Sequence, residues 1–147
     1  MNILRQVRFN AKLCVTCHSC ENACALVHSE ASSTSEISQL GLNPISRITI
    51  IEKKGRPKMI RCVFCKKPKC VDACPENAII QQDDGYVYID AKICDGCGNC
   101  IAACPFDAIQ MTKEGKSVKC DLCLDYETPV CVSQCPTDAL LLIEKDA

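Results

Sequence analysis

Residues 94–105 read Cys-Asp-Gly-Cys-Gly-Asn-Cys-Ile-Ala-Ala-Cys-Pro, four cysteines separated by two, two and three residues. Related runs occur three more times, so all sixteen cysteines of the 147-residue chain fall into four groups of four. The groups are Cys14, Cys17, Cys20 and Cys24; Cys62, Cys65, Cys70 and Cys74; Cys94, Cys97, Cys100 and Cys104; and Cys120, Cys123, Cys131 and Cys135. An internal repeat of this kind indicates the architecture before any secondary structure is considered.

The repeat extends beyond the cysteines. Three groups are followed by matching stretches: Pro75-Glu-Asn-Ala-Ile, Pro105-Phe-Asp-Ala-Ile and Pro136-Thr-Asp-Ala-Leu. Because proline fixes φ and lacks an N–H, we expect it to redirect the chain out of the helical turn that ends at each fourth cysteine. The Ala-Ile or Ala-Leu pair then enters a short strand. The first group departs from the pattern, since Ala25 stands where the proline would be.

The cysteine spacing suits a [4Fe–4S] cluster. Two intervening residues let a tight loop wrap three thiolates around one cubane while backbone N–H groups turn toward its sulfurs. The three-residue gap begins a helical turn that carries the fourth cysteine away, and in bacterial ferredoxin runs of this form the fourth cysteine ligates the neighbouring cluster. Four complete groups therefore predict four [4Fe–4S] clusters as the cofactors.

Linker length indicates which groups exchange their fourth cysteines. Cys74 and Cys94 are twenty positions apart, about what one hairpin needs, so the second and third groups should pair and the first and fourth should close around them. The expected ligand sets are Cys62, Cys65, Cys70 with Cys104; Cys94, Cys97, Cys100 with Cys74; Cys14, Cys17, Cys20 with Cys135; and Cys120, Cys123, Cys131 with Cys24. Each set is named below by its remote cysteine: the Cys104, Cys74, Cys135 and Cys24 sites. The chain is then one four-cluster domain, 1–147, with an inner unit over 47–112 and an outer unit formed by 1–46 and 113–147.

Hairpins are expected to join the groups. The segments 79–82 and 86–90 alternate in polarity around Asp83-Asp84-Gly85, a good hairpin signal. Two further hairpins are expected, over 109–119 around Gly115 and over 47–61 around Gly55. A helix is expected over 19–28, followed by an insertion loop rich in Ser and Thr over 29–43.

Composition and charge narrow the class of protein. The chain has no Trp and only three Phe and three Tyr, so bound clusters should help hold the fold, and their loss should unfold it. No run approaches the roughly 20 apolar residues of a membrane span. No export signal is recognisable near the N-terminus, which predicts a cytoplasmic protein with reduced thiols.

A basic segment runs from Lys53 to Lys69 and holds eight lysines and arginines, although the formal net charge of the chain is −1. These cations could offset cluster charge, raise a local potential or dock an acidic partner, and a solvated hairpin explains the same pattern. Nucleic-acid binding is not predicted, because few aromatic residues interleave with the cations and no nucleic-acid-binding fold signature accompanies them.

From Leu13 to Ile143 the chain resembles the four-cluster ferredoxin-like subunits found beside molybdenum or tungsten oxidoreductases, formate dehydrogenases, hydrogenases and carbon monoxide dehydrogenases. The resemblance includes the wider gaps between Cys65 and Cys70 and between Cys123 and Cys131. It implies an α+β fold of tandem, nested bacterial-type 2[4Fe–4S] units built from short helices and β-hairpins. It also implies a non-catalytic electron-transfer subunit of a hetero-oligomer, working between a larger catalytic redox subunit and a further electron carrier or flavin subunit.

Other functions fit the cysteines less well. Paired Cys-x-x-Cys units build structural zinc sites, but a zinc-binding interaction module does not need the recurring fourth cysteine. Cys14-Val-Thr-Cys17-His18 has the form of a c-type haem attachment run, yet both cysteines belong to the repeat. His18 and His28 could tune the first cluster or relay a proton, or be ordinary surface residues. A free, diffusible polyferredoxin remains the alternative to a bound subunit.

Overall fold

The computed structural model describes residues 3–146, and the side chains of residues 4–144. Its helices are α1 (Ser19–Val27), α2 (Thr34–Gln39), α3 (Lys69–Ala73), α4 (Asn99–Ala103) and α5 (Val130–Ser133). Its strands are β1 (Ile3–Phe9), β2 (Thr49–Lys53), β3 (Arg56–Ile60), β4 (Ile79–Gln81), β5 (Val87–Ile89), β6 (Gln110–Met111), β7 (Ser117–Val118) and β8 (Leu140–Asp146). These elements confirm the predicted α+β class with short helices and small sheets. No helix in this part of the chain is long and apolar enough to cross a membrane.

The strands pair in four two-stranded antiparallel sheets within the described residues. Three are the predicted hairpins, β2 with β3, β4 with β5, and β6 with β7. In the turn between β4 and β5, Gly85 has a φ of 89° and donates its N–H to Gln82 O over 2.9 Å. A residue with a Cβ adopts that φ only with strain, so the Asp-Gly signal had a direct physical cause.

The fourth sheet joins the two ends of the chain and was not predicted. Strand β1 pairs with β8 from Ile3 opposite Asp146 to Phe9 opposite Leu140. Its inward side chains enter the core, where Val7 is 1% and Leu140 2% exposed. The strand β1 is too mixed in polarity for its sequence to indicate a partner at the opposite end of the chain.

Proline controls the lengths of the helices that precede the fourth cysteines. Helices α3 and α4 have five residues each, and Pro75 and Pro105 follow the cysteines that cap them. Helix α1 has nine residues and continues past Cys24, because Ala25 offers no block. The departure of the first group from the repeat thus has a plain structural result. Helix α1 packs against α5, and α3 packs against α4.

The segment 29–43 is not the loop that was expected, because it contains helix α2. Ser33 caps this helix by accepting the N–H of Glu36, and the Glu36 carboxylate accepts the N–H and hydroxyl of Ser32. The Ser-x-x-Glu spacing is a recognised start signal for a helix. This signal is present in the sequence, but the abundance of Ser and Thr favoured the prediction of a loop.

Candidate iron–sulfur sites

All sixteen cysteines are free thiols in the structure. Only Cys17 and Cys97 are exposed, whereas the others are buried or partly buried. Buried, unpaired cysteines in such number fit thiolate ligation of a metal cluster.

The first Cys-x-x-Cys loop of each of the four groups shares one backbone device. The second intervening residue has a positive φ in each of these four loops: 55° at Thr16, 52° at Phe64, 78° at Gly96 and 60° at Leu122. This left-handed residue turns the backbone around the cysteine that precedes it. Accordingly, the N–H groups of Thr16 and Leu122 point at the Sγ atoms of Cys14 and Cys120, over 3.5 and 3.4 Å.

A second device explains the repeat that follows the cysteines. Asn77, Asp107 and Asp138 have φ values of 53°, 53° and 54°, and Asn and Asp tolerate this left-handed conformation better than most residues. The next residue is a deeply buried alanine, as at Ala78, which is 1% exposed and donates its N–H to Cys74 Sγ over 3.3 Å. The proline, the Asx residue and the alanine of the Pro-x-Asx-Ala motif therefore each have a role in returning the chain from a cysteine to a strand.

The cysteines of the Cys104 site line one small pocket. Cys62, Cys65 and Cys70 of the second group line it together with Cys104 of the third group. Burial raises the pKa of the Cys65 thiol, and the charges of Cys62 and Cys104 raise it further. Burial also raises the pKa of Cys70, to about 11.

The cysteines of the Cys135 site line a second small pocket. Cys14, Cys17 and Cys20 of the first group line it with Cys135 of the fourth. Burial raises the pKa of Cys20 to about 11, and the nearby charges of Glu21 and Cys135 act in the same direction. At the exposed end, a hydrogen bond with Ser19 lowers the pKa of Cys17. His18 is exposed and pairs with Glu21, with 2.5 Å between Nδ1 and Oε2.

The cysteines predicted for the Cys24 site influence one another's ionisation. Burial raises the pKa values of the Cys120, Cys123 and Cys131 thiols, that of Cys120 to about 12, and the charge of Cys24 raises all three further. Burial also opposes ionisation of Cys24 itself, but hydrogen bonds from His28 and from the Arg47 N–H outweigh it and lower the pKa. The Arg47 N–H lies 3.2 Å from Cys24 Sγ.

The Cys74 site is the one whose cysteines the described contacts do not bring together directly. Helices α3 and α4, which end at Cys74 and Cys104, pack against each other. Cys100 Sγ lies 3.3 Å from the Ser117 hydroxyl. The four ligand sets themselves stay predictions.

Sequence reasoning did not identify the polar network beside Cys24. His28 Nδ1 lies 2.8 Å from Cys24 O, and its Nε2 lies 3.1 Å from Asp121 Oδ2, which also contacts Arg47 over 3.4 Å. Burial disfavours charge on His28, but the hydrogen bonds with Asp121 and Cys24 outweigh it and raise the pKa to about 9. Asp121 also accepts the Cys123 N–H. His28 therefore lies between Cys24 and Asp121, next to the cysteines predicted for the Cys24 site.

The donor chemistry fits [4Fe–4S] clusters, because cysteine sulfurs line two pockets and backbone N–H groups point at the sulfurs. Together with short helices and hairpins, these quartets define a ferredoxin-like iron–sulfur protein. Residues 57–145 match the model of the 4Fe-4S dicluster domain, and the chain belongs to that family.

Known relatives agree with this class. An iron-sulfur protein of Rhodospirillum rubrum is 35% identical over 155 residues, which cover 94% of this chain and 81% of the relative. The electron transport protein HydN of Escherichia coli (strain K12) is 29% identical over 154 residues, covering 93% of this chain and 86% of HydN. A chain in the active site complex BamBC of benzoyl coenzyme A reductase with 1,5-dienoyl-CoA is similar in fold, with a TM-score of 0.56 and 24% identity over 100% of this chain and 79% of that one.

The chain is therefore an iron–sulfur electron-transport protein. The prediction of [4Fe–4S] cofactors is confirmed, and sixteen cysteines match the ligands that four such clusters require.

Proposed function

We propose that the chain is a four-cluster electron-transfer subunit that relays single electrons between a larger catalytic redox subunit and a second carrier. The observation that carries the proposal is the crossed composition of two cavities, each lined by three cysteines of one group and the fourth cysteine of another. By the same rule, the ligand sets are those of the Cys135, Cys24, Cys104 and Cys74 sites.

Cysteines of one site influence the pKa values of residues at the next, and these influences suggest a linear order of sites. Cys131 of the Cys24 site is influenced by Cys20 of the Cys135 site. Arg61 is influenced by Cys62 of the Cys104 site and by Cys120 of the Cys24 site. The Cys104 site borders the Cys74 site through the contact of α3 with α4. The order is then Cys135, Cys24, Cys104 and Cys74, with the inner unit over 47–112 and the outer unit over 1–46 and 113–147.

The two ends of this order are also the exposed ends. Cys17 belongs to the Cys135 site and Cys97 to the Cys74 site, and both are exposed. Apolar side chains stand beside them: Val15 is 61% and Ile93 43% exposed. Exposed apolar residues next to an electron-transfer site suit contact with a partner, so we place the exchange of electrons with partners at these two ends.

Each bound cluster supplies storage for one electron, and the protein controls how readily that electron is held. N–H groups aimed at Sγ atoms, such as those of Thr16, Ala78 and Leu122, stabilise the more negative reduced state. The hydroxyls of Ser19 and Ser117 lie near Cys17 and Cys100 Sγ and act in the same sense. No bond forms or breaks in the chain, since one electron enters from a low-potential carrier and one leaves to the acceptor.

The partner we propose is a catalytic redox subunit of the tungsten or molybdenum aldehyde or formate oxidoreductase, carbon monoxide dehydrogenase or hydrogenase class. Support comes from HydN, named an electron transport protein, and from the similar fold within a reductase complex. Anaerobic purification from the native host tests this directly. We expect a brown protein that dithionite bleaches and that elutes together with a larger oxidoreductase. Recovery of the brown chain alone would favour a free polyferredoxin.

A further inference from the structure

Lys119 is a buried cation without a carboxylate partner. Lys119 is 4% exposed, and it forms no ion pair with the residues that the structure describes. Nζ donates to Cys120 O over 3.1 Å and lies 4.3 Å from the ring centroid of Phe64 and 5.8 Å from that of Tyr86. A carbonyl and two ring faces compensate a buried ammonium only in part. Further negative charge is needed nearby.

Lys119 lies beside cysteines of two different sites. Lys119 lines the cavity of the Cys104 site, and its backbone leads directly into Cys120 of the Cys24 site. Burial raises the pKa values of Cys65, Cys70 and Cys120, and the charge of Lys119 opposes that rise in all three.

Arg61 is a second cation in the same place. It is partly buried, donates from Nη1 to Cys62 O over 2.9 Å and from Nη2 to Val7 O, and forms no ion pair with any residue that the structure describes. Burial lowers its pKa, while Cys120, Cys62 and Cys131 act in the opposite direction. Two cations therefore face the Cys104 and Cys24 sites together.

The surroundings of the terminal sites differ. Glu21 brings a negative charge to the Cys135 site, where it acts on Cys20. At the Cys74 site, Lys116 donates to Cys94 O and acts on Cys94. Lys116 thus touches one site, whereas Lys119 touches two.

We propose that the positive charges of Lys119 and Arg61 raise the reduction potentials of clusters bound at both the Cys104 and the Cys24 sites. This proposal rests on the proposed function and deepens it. A cation beside a cluster stabilises the reduced state, which carries one more negative charge. An electron that enters at the Cys135 end is therefore drawn to the middle of the chain before it leaves.

The test is a redox titration of the full chain, purified anaerobically, with each reduced cluster followed by electron paramagnetic resonance and iron measured in parallel. In Lys119→Met, the ratio of reduced to oxidised protein at a fixed potential should fall by at least about tenfold at two clusters, about 59 mV for a one-electron couple. Lys119→Arg should restore most of the shift. The matched control Lys116→Met should leave those two clusters unchanged.

Four unshifted potentials in Lys119→Met with its iron intact would overturn the proposal. If Lys119→Met loses iron, Arg61→Gln carries the same test, and loss of iron in both variants would show a structural role instead. A wild-type chain without [4Fe–4S] signals would contradict the proposed function itself, so the two failures are distinguishable.

Discussion

The Cys104 site and the Cys135 site each have four cysteine sulfurs, but they differ in burial and in the charge of their surroundings. The Cys104 site contains the buried Phe64, which is 4% exposed, and the cation of Lys119. The Cys135 site has the exposed Cys17 and a neighbouring carboxylate, Glu21. Because the ligand chemistry is constant, the difference in burial and charge must carry the difference in role. In the proposed function, a central site would store the electron within the core, and a terminal site would exchange it with a partner.

The largest effect should come from removing a cysteine at a central site. Cys131 is 7% exposed and belongs to the core, whereas Cys17 is exposed. We expect Cys131→Ser to lose more than one cluster and its cooperative thermal unfolding, because cluster binding and folding are coupled. Cys17→Ser should lose at most one cluster and stay folded. Iron analysis with circular dichroism checks this, and equal losses in the two variants would remove the distinction.

The next largest difference is expected between apolar side chains at a central site, the Cys24 site, and at the terminal Cys135 site. Leu122 is 1% exposed beside the Cys24 site, so Leu122→Ala should destabilise the protein by about 2–5 kcal/mol. Val15, on the Cys135 site, is 61% exposed, and Val15→Ala should change stability by less than about 0.5 kcal/mol. Anaerobic thermal denaturation measures both. Val15→Ala should instead weaken binding of the catalytic partner, and unchanged partner binding would argue against an exchange surface there.

At the Cys74 site, which is the other terminal site, two glycines allow the cost of backbone conformation to be measured apart from the cost of steric contact. Gly96 and Gly98 have φ values of 78° and 79°, so alanine at either position costs about 1–2 kcal/mol. A Cβ at Gly96 would lie 2.1 Å from Gly115 O, whereas at Gly98 the nearest atom is Met111 Cε at 3.9 Å. Gly96→Ala should therefore be more destabilising than Gly98→Ala by about 1–3 kcal/mol. Equal melting temperatures would show that the approach of Gly115 is not maintained.

The smallest effect is expected on the β2–β3 hairpin, where the exposed Lys54 and Lys58 belong to the basic segment. Lys54→Gln with Lys58→Gln should slow association with an acidic redox partner by less than about tenfold at low salt. The difference should vanish at about 1 M salt, where the Debye length is about 3 Å. Stopped-flow reduction measures the rate, with the exposed Lys113→Gln as control. An unchanged rate at low salt would identify a solvated hairpin.

Much of this architecture could be predicted because it is local and repeated. The cysteine spacing indicated the loops, and the Asp-Gly turn at Gly85 indicated the β4–β5 hairpin. The pairing of β1 with β8 depends on contacts between distant segments that no local pattern records. Lys119 resembles other lysines of the chain in sequence, and only its packing against Phe64 distinguishes it. The polar network of His28 with Asp121 likewise joins residues far apart in the chain.

The crossed exchange of cysteines is the central claim, and a comparison of three variants tests it most directly. Cys62→Ser, Cys104→Ser and Cys94→Ser are each purified anaerobically, and their electron paramagnetic resonance spectra are recorded during reduction. Cys104→Ser should perturb the same cluster signal as Cys62→Ser and leave the cluster perturbed by Cys94→Ser unchanged. A Cys104→Ser spectrum that matches Cys94→Ser would show that each group holds its own cluster and would contradict the account.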